Sequence, residues 1–345
     1  MKNWSKLMLT TLLILAMVLS FAACGNQTGD DNTSATDVTP TPEVTLDTET
    51  PVNIMVLNGT TGFGMAKLIS DNSKGDSTLN YNISVETDAS NITAALINKT
   101  VDIAALPTNA AAVVYNKSQG EVQALALNTL GVLYLVTDDT ISIASFEDLR
   151  GQTVYVPAQN PTMIFSYLCK ANGLEVGTDV FIDNTYAQPA DLRTAVASGE
   201  VSVAVLPEPM LTIAKSSNDK LVTAMDLTVE WNKVSPEGSL VQGCVVVRKE
   251  FAEEHPNEVA AFLEEYGRSI EFLSGDPSTV GAVIEETGVF AKGAVAAKAL
   301  PNCNICFITG EEMKESLSNF LQIMFDFNAQ SVGGTLPADD FYYIG

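Results

Sequence analysis

Short apolar runs alternate with amphipathic stretches along the chain, and the alternation begins only after residue 50. The run Val52 to Leu57 predicts a strand, a Gly/Thr loop follows it, and Gly64 to Ser70 carries apolar residues at helical spacing. Tyr81 to Val85 alternates with a period of two, Ile92 to Ile97 reads as a short helix, and Asp102 to Leu106 reads as a buried strand ending at Pro107. Strand, helix, strand, helix, strand predicts parallel pairing through right-handed crossovers.

The same order recurs one hundred residues later without a gap. Thr153 to Val156 lies over Asn53 to Val56, the expected helix Thr162 to Ala171 over Gly62 to Asp71, and Val201 to Pro207 over Val101 to Pro107. Nine of the 56 superposed positions are identical, at Val56, Leu68, Asn72, Thr78, Ala95, Val101, Ala104, Leu106 and Pro107. Core positions of any two such units share Val, Leu and Ala, so the weight rests on the ungapped register. Beyond it, Cys244 to Arg248 is rich in β-branched residues, and Pro256 to Leu273 has an apolar face at Val259, Phe262, Leu263, Tyr266 and Ile270. His255-Pro256 fits a helix start, because proline suits the first helical position. Helical stretches near Thr279 to Glu286 and Glu311 to Phe327 complete the chain. Too few strands remain for a third domain, so these helices are expected on the first lobe. The chain then crosses between lobes near Leu133 to Asp138 and near Leu240 to Gly243, which makes a two-segment hinge.

The first fifty residues have a different grammar. Lys2 and Lys6 precede an apolar run from Leu7 to Ala23, the pattern of an export signal. It ends in Phe21-Ala22-Ala23-Cys24, which resembles the bacterial lipobox, with Cys24 as the lipidated residue; an uncleaved anchor or ordinary cleavage leaving a free Cys24 are the other readings. Gly25 to Thr50 contains six acids and no Lys or Arg, and too little apolar surface to offset chain entropy. It is expected to be a solvated tether.

Composition narrows the chemistry. The 345 residues carry 42 Asp plus Glu against 18 Lys plus Arg, a net charge of −24, which repels nucleic acid and anionic lipid surfaces. The single histidine, His255, excludes multi-histidine metal sites and leaves only one candidate for a Ser/His/Asp triad. No cofactor is expected.

The lipobox, the paired motifs Val101 to Pro107 and Val201 to Pro207, the segment Phe146-Glu147-Asp148-Leu149-Arg150-Gly151-Gln152-Thr153-Val154 and the segment Phe251-Ala252-Glu253-Glu254-His255-Pro256 together resemble the substrate-binding proteins of ABC importers. The branch that handles nitrate, taurine, alkanesulfonates and thiamine pyrimidine precursors fits best. The resemblance implies an α/β fold of the type II periplasmic binding protein kind: two Rossmann-like lobes, a two-segment hinge and a ligand cleft between them. It implies a monomer that captures a small molecule and delivers it to permease and ATPase subunits, with no catalysis. The expected organisation is a signal over 1–23, lipidated Cys24 and tether over 24–50, lobe 1 over 51–135 with 243–345, and lobe 2 over 136–242. Localisation follows as the extracytoplasmic face of the cell membrane. A ligand-sensing module for a membrane signalling partner is the alternative, and an extracytoplasmic enzyme using Glu208 and Asp88 the more remote one.

In open parallel sheets, ligands lie outside the carboxyl ends of the strands, where helix N-termini present free N–H groups. The candidates in lobe 1 are Asn58, Thr60, Thr61, Gly62 and Phe63, the threonines for their hydroxyls and Phe63 for a stacking face; Gly, Asn and Pro also serve any strand-to-helix turn. Asn160, Pro161 and Thr162 form the matching loop of lobe 2. Asp88 either touches ligand or starts a helix, and Thr108 and Asn109 either touch ligand or cap one. Glu208, held between two prolines where the first repeat has Thr108, reads either as a carboxylate for an amine, amidine or aminopyrimidine edge or as a solvated loop residue. Trp231 and Tyr186 are candidate aromatic walls, or core. None of these loops contains Lys or Arg, which favours a neutral or cationic, ring-bearing ligand over nitrate or sulfate. Cys303-Asn304-Ile305-Cys306 is expected to form a local disulfide or to hold buried thiols.

Overall fold

The computed structural model describes residues 45–235 and 240–345, so the export signal, Cys24 and nearly all of the tether lie outside the described residues. The first lobe opens with β1 (Val52–Leu57), α1 (Thr60–Phe63), α2 (Ala66–Lys74), β2 (Tyr81–Glu86), α3 (Ala89–Ile97), β3 (Ile103–Pro107), α4 (Thr108–Lys117) and β4 (Val122–Thr129). The chain then builds a second sheet from β5 (Leu133–Asp138), β6 (Thr153–Tyr155), α5 (Asn160–Ala171), β7 (Phe181–Asp183), α6 (Pro189–Ser198), β8 (Val203–Pro207), α7 (Met210–Ser217), β9 (Leu221–Asp226) and α8 (Leu227–Val234). It returns to the first with β10 (Gly243–Arg248), α9 (Lys249–Glu254), α10 (Pro256–Phe272), α11 (Pro277–Glu286), α12 (Gly293–Ala299), β11 (Ile305–Ile308) and α13 (Gly310–Phe327).

The sheet of lobe 1 has the order β11-β4-β10-β3-β1-β2 and that of lobe 2 the order β7-β6-β8-β5-β9. β1 pairs in parallel with β2 and β3, and β6 in parallel with β7 and β8, as the repeat predicts. The strand next to β3 is β10 and the strand next to β8 is β5, both antiparallel. Each lobe is thus completed by the strand that has just crossed from the other. These strands and β4 are buried along almost their whole length, which is why they show no regular apolar and polar alternation.

Three expectations change. Leu133 to Asp138 is not a crossing but the strand β5; the chain crosses at Leu130 to Val132, and returns at Leu240 to Gln242. Residues 45–50 do not float: Leu46 packs against the core under β1 and α10, Asp47 N donates to Glu258 Oε1 at 2.8 Å, and Asn80 Nδ2 donates to Glu49 O at 3.2 Å. The C-terminal helices do not all stay on lobe 1. Phe320 of α13 packs on Trp231 of α8 with ring centroids 5.7 Å apart, and Phe327 meets Tyr167 of α5 at 6.0 Å. One apolar cluster therefore runs from β4 through α13 into lobe 2.

The remaining core is divided by lobe. Ile54, Val56, Ile103 and Val245 of lobe 1 pack under Phe262 and Tyr266 of α10, whose apolar positions fall on one helical face. In lobe 2, Leu192, Val196, Leu206 and Leu211 fill the space between α6, α7 and the sheet. Helix starts follow local chemistry: Asp88 accepts from Ser90 N, Asp226 from Thr228 N, and Asp276 from Thr279 N.

Candidate functional site

The hinge fixes which ends of the sheets meet. The first crossing leaves the carboxyl end of β4 and enters β5 where Leu133 pairs with Pro207, the carboxyl end of β8. The second enters β10 where Gly243 pairs with Pro107, the carboxyl end of β3. The carboxyl ends of the parallel strands in both lobes therefore lie on the hinge side, and the loops that follow them are the candidate ligand cleft.

The hinge segments are bonded to each other and to these loops. Gln242 N donates to Thr129 O at 2.9 Å, Val132 N to Gln242 Oε1 at 2.6 Å, and Glu208 N to Val132 O at 3.0 Å. Asn304, just before β11, accepts from Leu130 N through its carbonyl and donates to Gly131 O at 2.5 Å through its amide. A β-carbon at Gly131 would lie 2.1 Å from Thr228 Oγ1, so the crossing passes α8 too closely for any side chain. Gln242 lies in no motif, and Asn304 stood out only as a spacer between Cys303 and Cys306.

The expected site residues separate into groups. Asn58 is exposed beyond β1, and Gly59 enters α1 at φ 83° and ψ −148°. Its repeat partner Gln159 enters α5 at φ 64° and ψ −125°, the same rarely used backbone region but without glycine's freedom. Thr60 is partly exposed; Thr61 is buried, and its carbonyl accepts from Asn128 Nδ2 at 3.0 Å. Asn128 also donates to Tyr266 Oη at 3.1 Å, which ties α1 to α10 through a polar side chain inside β4. An asparagine directly after the apolar run Ala124 to Leu127 is the signal that could have found it.

Phe63 and Gly62 are packing residues in this conformation. Phe63 is fully buried among Val280, Ile284, Val289 and Ala296, so its ring offers no open stacking face. A β-carbon at Gly62 would lie 2.5 Å from Leu57 O. Asp88 is exposed and caps α3; the Ser90 N–H holds its pKa below the ordinary value. Thr108 is fully buried, and its hydroxyl donates to Val241 O at 2.8 Å in the hinge. Thr162 donates to Pro157 O at 2.7 Å and accepts from Asn184 Nδ2 at 2.8 Å. Trp231 is core, and Tyr186 donates to Glu200 Oε1 at 2.5 Å.

Glu208 is neither solvated nor free. It is 3% exposed and accepts from Thr212 N and Thr212 Oγ1, each at 3.0 Å, at the start of α7. Burial raises its pKa, against which Thr212 and the Asn302 side chain of lobe 1 act. Tyr134 of β5 donates to Asn302 O at 3.0 Å, so this turn of lobe 1 touches lobe 2 at two groups. All four described cysteines are free thiols; burial pushes the Cys306 thiol up to about 12, and burial with the Glu208 charge pushes Cys303 up. Neither is a nucleophile at neutral pH.

Residues 77–286 match the family model of the phosphonate ABC-transporter periplasmic substrate-binding protein. The chain belongs to this family. No curated protein sequence matches it. Among solved structures, an ABC transporter protein from Parabacteroides distasonis is similar over 86% of this chain and 99% of its own, with 23% identity and a TM-score of 0.72. The periplasmic aliphatic sulphonate-binding protein SsuA from Escherichia coli matches over 84% and 90% with 14% identity and a TM-score of 0.66. The ligand-binding component of an ABC-type import system from Staphylococcus aureus, solved with zinc bound, matches over 86% and 97% with 16% identity and a TM-score of 0.64. As a member of the phosphonate-binding family, the chain is a periplasmic-type substrate-binding component of an ABC import system and not an enzyme. Among the described residues of this binding protein, no helix is long and apolar enough to cross a membrane.

Proposed function

We propose that this binding protein captures a small organic ligand between its lobes and hands it to the permease and ATPase subunits of an importer, as a monomer held by a lipid on Cys24 at the extracytoplasmic face of the membrane. The observation that carries this reading is the hinge: both crossings enter their new sheet beside the carboxyl end of a strand from the parallel set, Pro207 of β8 and Pro107 of β3, the ends at which open α/β sheets bind ligands. The sheet memberships support a division in which lobe 1 takes the chain up to β4 and from β10 onward, and lobe 2 takes β5 to α8. α13, packed on both lobes, is a strap beside the two crossings about which they pivot.

Two measurements test the proposal. Melting the protein that starts at residue 24 against sulfonates, pyrimidines, flavins, amines and amino acids is expected to reveal a ligand by a raised midpoint, because binding to the native state stabilises it. No shift across that panel contradicts capture. Cys24→Ala is expected to move the protein from the membrane fraction to the soluble one, and unchanged partitioning contradicts the lipid anchor.

A further inference from the structure

The asparagines near the carboxyl ends of the strands are bonded in different ways. Asn109, in the first turn of α4, and Asn160, at the start of α5, have buried Oδ1 atoms without a hydrogen-bond partner. Asn128, near the end of β4, is 1% exposed and has its whole amide taken up inside the protein. Its Nδ2 donates to Thr61 O at 3.0 Å and to Tyr266 Oη at 3.1 Å, and its Oδ1 accepts from Thr129 Oγ1 at 3.1 Å. Both amide hydrogens are thus used, which leaves Asn128 no donor for a ligand. Its importance lies in what it joins.

On one side it holds the cleft loop. Thr61 belongs to α1, the turn that follows β1, and Gly64 at the end of that turn lies so close to Tyr266 that a β-carbon would stand 2.8 Å from Tyr266 Oη. On the other side it meets the hinge. Thr129, the last residue of β4 before the outgoing crossing, accepts from Gln242 N at 2.9 Å, and Gln242 Oε1 accepts from Val132 N at 2.6 Å. Gly243, which opens β10 after the returning crossing, pairs with Thr129, and a β-carbon there would lie 2.5 Å from Asn128 Oδ1. An unbroken set of hydrogen bonds and close contacts therefore runs from Thr61 through Asn128 and Thr129 to both crossings. A leucine at 128 would fill similar space without fixing Thr61 or Thr129, and buried polar partners left unbonded are costly.

We infer that Asn128 is a positioning residue for capture: it fixes the cleft loop 58–63 relative to both crossings, so that a ligand seated on that loop bears on the hinge without touching it. This rests on the inter-lobe capture proposed above. The fixing itself is a property of the free protein, and its test needs no ligand, so its failure is distinct from a failure to find one.

Hydrogen exchange of the ligand-free protein from residue 24 reads the tie directly. In Asn128→Leu, exchange is expected to quicken about tenfold or more both in 59–65 and in the crossings at 130–132 and 240–243, while β1 and β3 keep their wild-type rates. Leu125→Ala opens a cavity in the same strand and controls for lost packing; it is expected to quicken exchange across the sheet of lobe 1 instead. Spin labels on Thr87→Cys and Ala187→Cys are expected to give a broader separation of the lobes in Asn128→Leu than in Leu125→Ala or wild type. If Asn128→Leu does not fold, Thr129→Val decides: it removes only the hydroxyl that Asn128 Oδ1 accepts from, and is expected to quicken the same stretches about threefold. Faster exchange in 59–65 alone would make Asn128 a local tie of α1 and overturn the inference. So would the pattern of Leu125→Ala, unchanged rates in the deciding variant, or an unchanged width of the label distribution in a folded Asn128→Leu.

Discussion

Lobe 1 runs β2, β1, β3, β10, β4 across its sheet and lobe 2 runs β7, β6, β8, β5, β9, so each strand of the repeat meets its counterpart at the same place. β2 and β7 start one hundred residues apart, as do α3 and α6, and β3 and β8. The chemistry placed on this shared frame differs. After the third strand, lobe 1 has Thr108, whose hydroxyl bonds the hinge at Val241, and lobe 2 has Glu208, whose carboxylate bonds the start of α7. After the first strand, lobe 1 turns on Gly59 and lobe 2 forces Gln159 into the same backbone region. Strand order is set by the apolar pattern and tolerates these exchanges; loop chemistry is set by what each loop must bond, and does not.

Exchanging residues between the lobes breaks this comparison directly. Thr108→Glu puts an unpaired carboxylate into a fully buried position and is expected to cost about 3 to 5 kcal/mol, read by denaturant melts. Glu208→Ala leaves Thr212 N–H and its hydroxyl without their acceptor and is expected to cost about 1 to 3 kcal/mol. Equal costs for the two would show that the loops are interchangeable after all. Gly59→Gln is expected to destabilise by about 1 to 2 kcal/mol, and Gln159→Gly to stabilise by about 1 kcal/mol, because only glycine enters that region without strain. A loss of stability in Gln159→Gly would contradict the strain.

The smallest expected effect is on pH dependence. Burial raises the Glu208 pKa above 4.5, so its contribution to stability is fully present below that value and is lost as pH rises through the folded value. Asp88 of lobe 1 moves the other way: its contribution is present above 3.8 and is lost as pH falls through its lowered value. Glu208→Gln is expected to remove a fall in melting midpoint as pH rises above 4.5, and Asp88→Asn to remove a fall on the acid side. An unchanged profile for Glu208→Gln would mean that the carboxylate is not held in the apolar setting described.

Much of the frame was legible because it obeys short-range rules. The repeat at one hundred residues, Pro256 at the first turn of α10 and the apolar stripe Val259, Phe262 and Tyr266 all follow from periodicity and end chemistry. β5 was taken for a crossing because a strand buried on both faces shows no alternation, and β4 and β9 escaped notice beside it. Among the site residues, loop position was legible and bonding was not. Phe63 looked like a stacking face and is core, while Thr108 read as either a ligand contact or a helix cap and its hydroxyl is bonded to the hinge, since both depend on segments more than a hundred residues away. Asn128, Gln242 and Asn302 were missed for the same reason.

The central claim is that the two lobes close on a ligand about the crossings at 130–132 and 240–242. Spin labels on Thr87→Cys and Ala187→Cys, exposed rim positions one hundred residues apart at the starts of α3 and α6, report the separation of the lobes. Pulsed electron resonance is expected to show a shorter and narrower distance distribution when the compound that most raises the melting midpoint is at saturation. The same distribution with and without that compound would contradict closure.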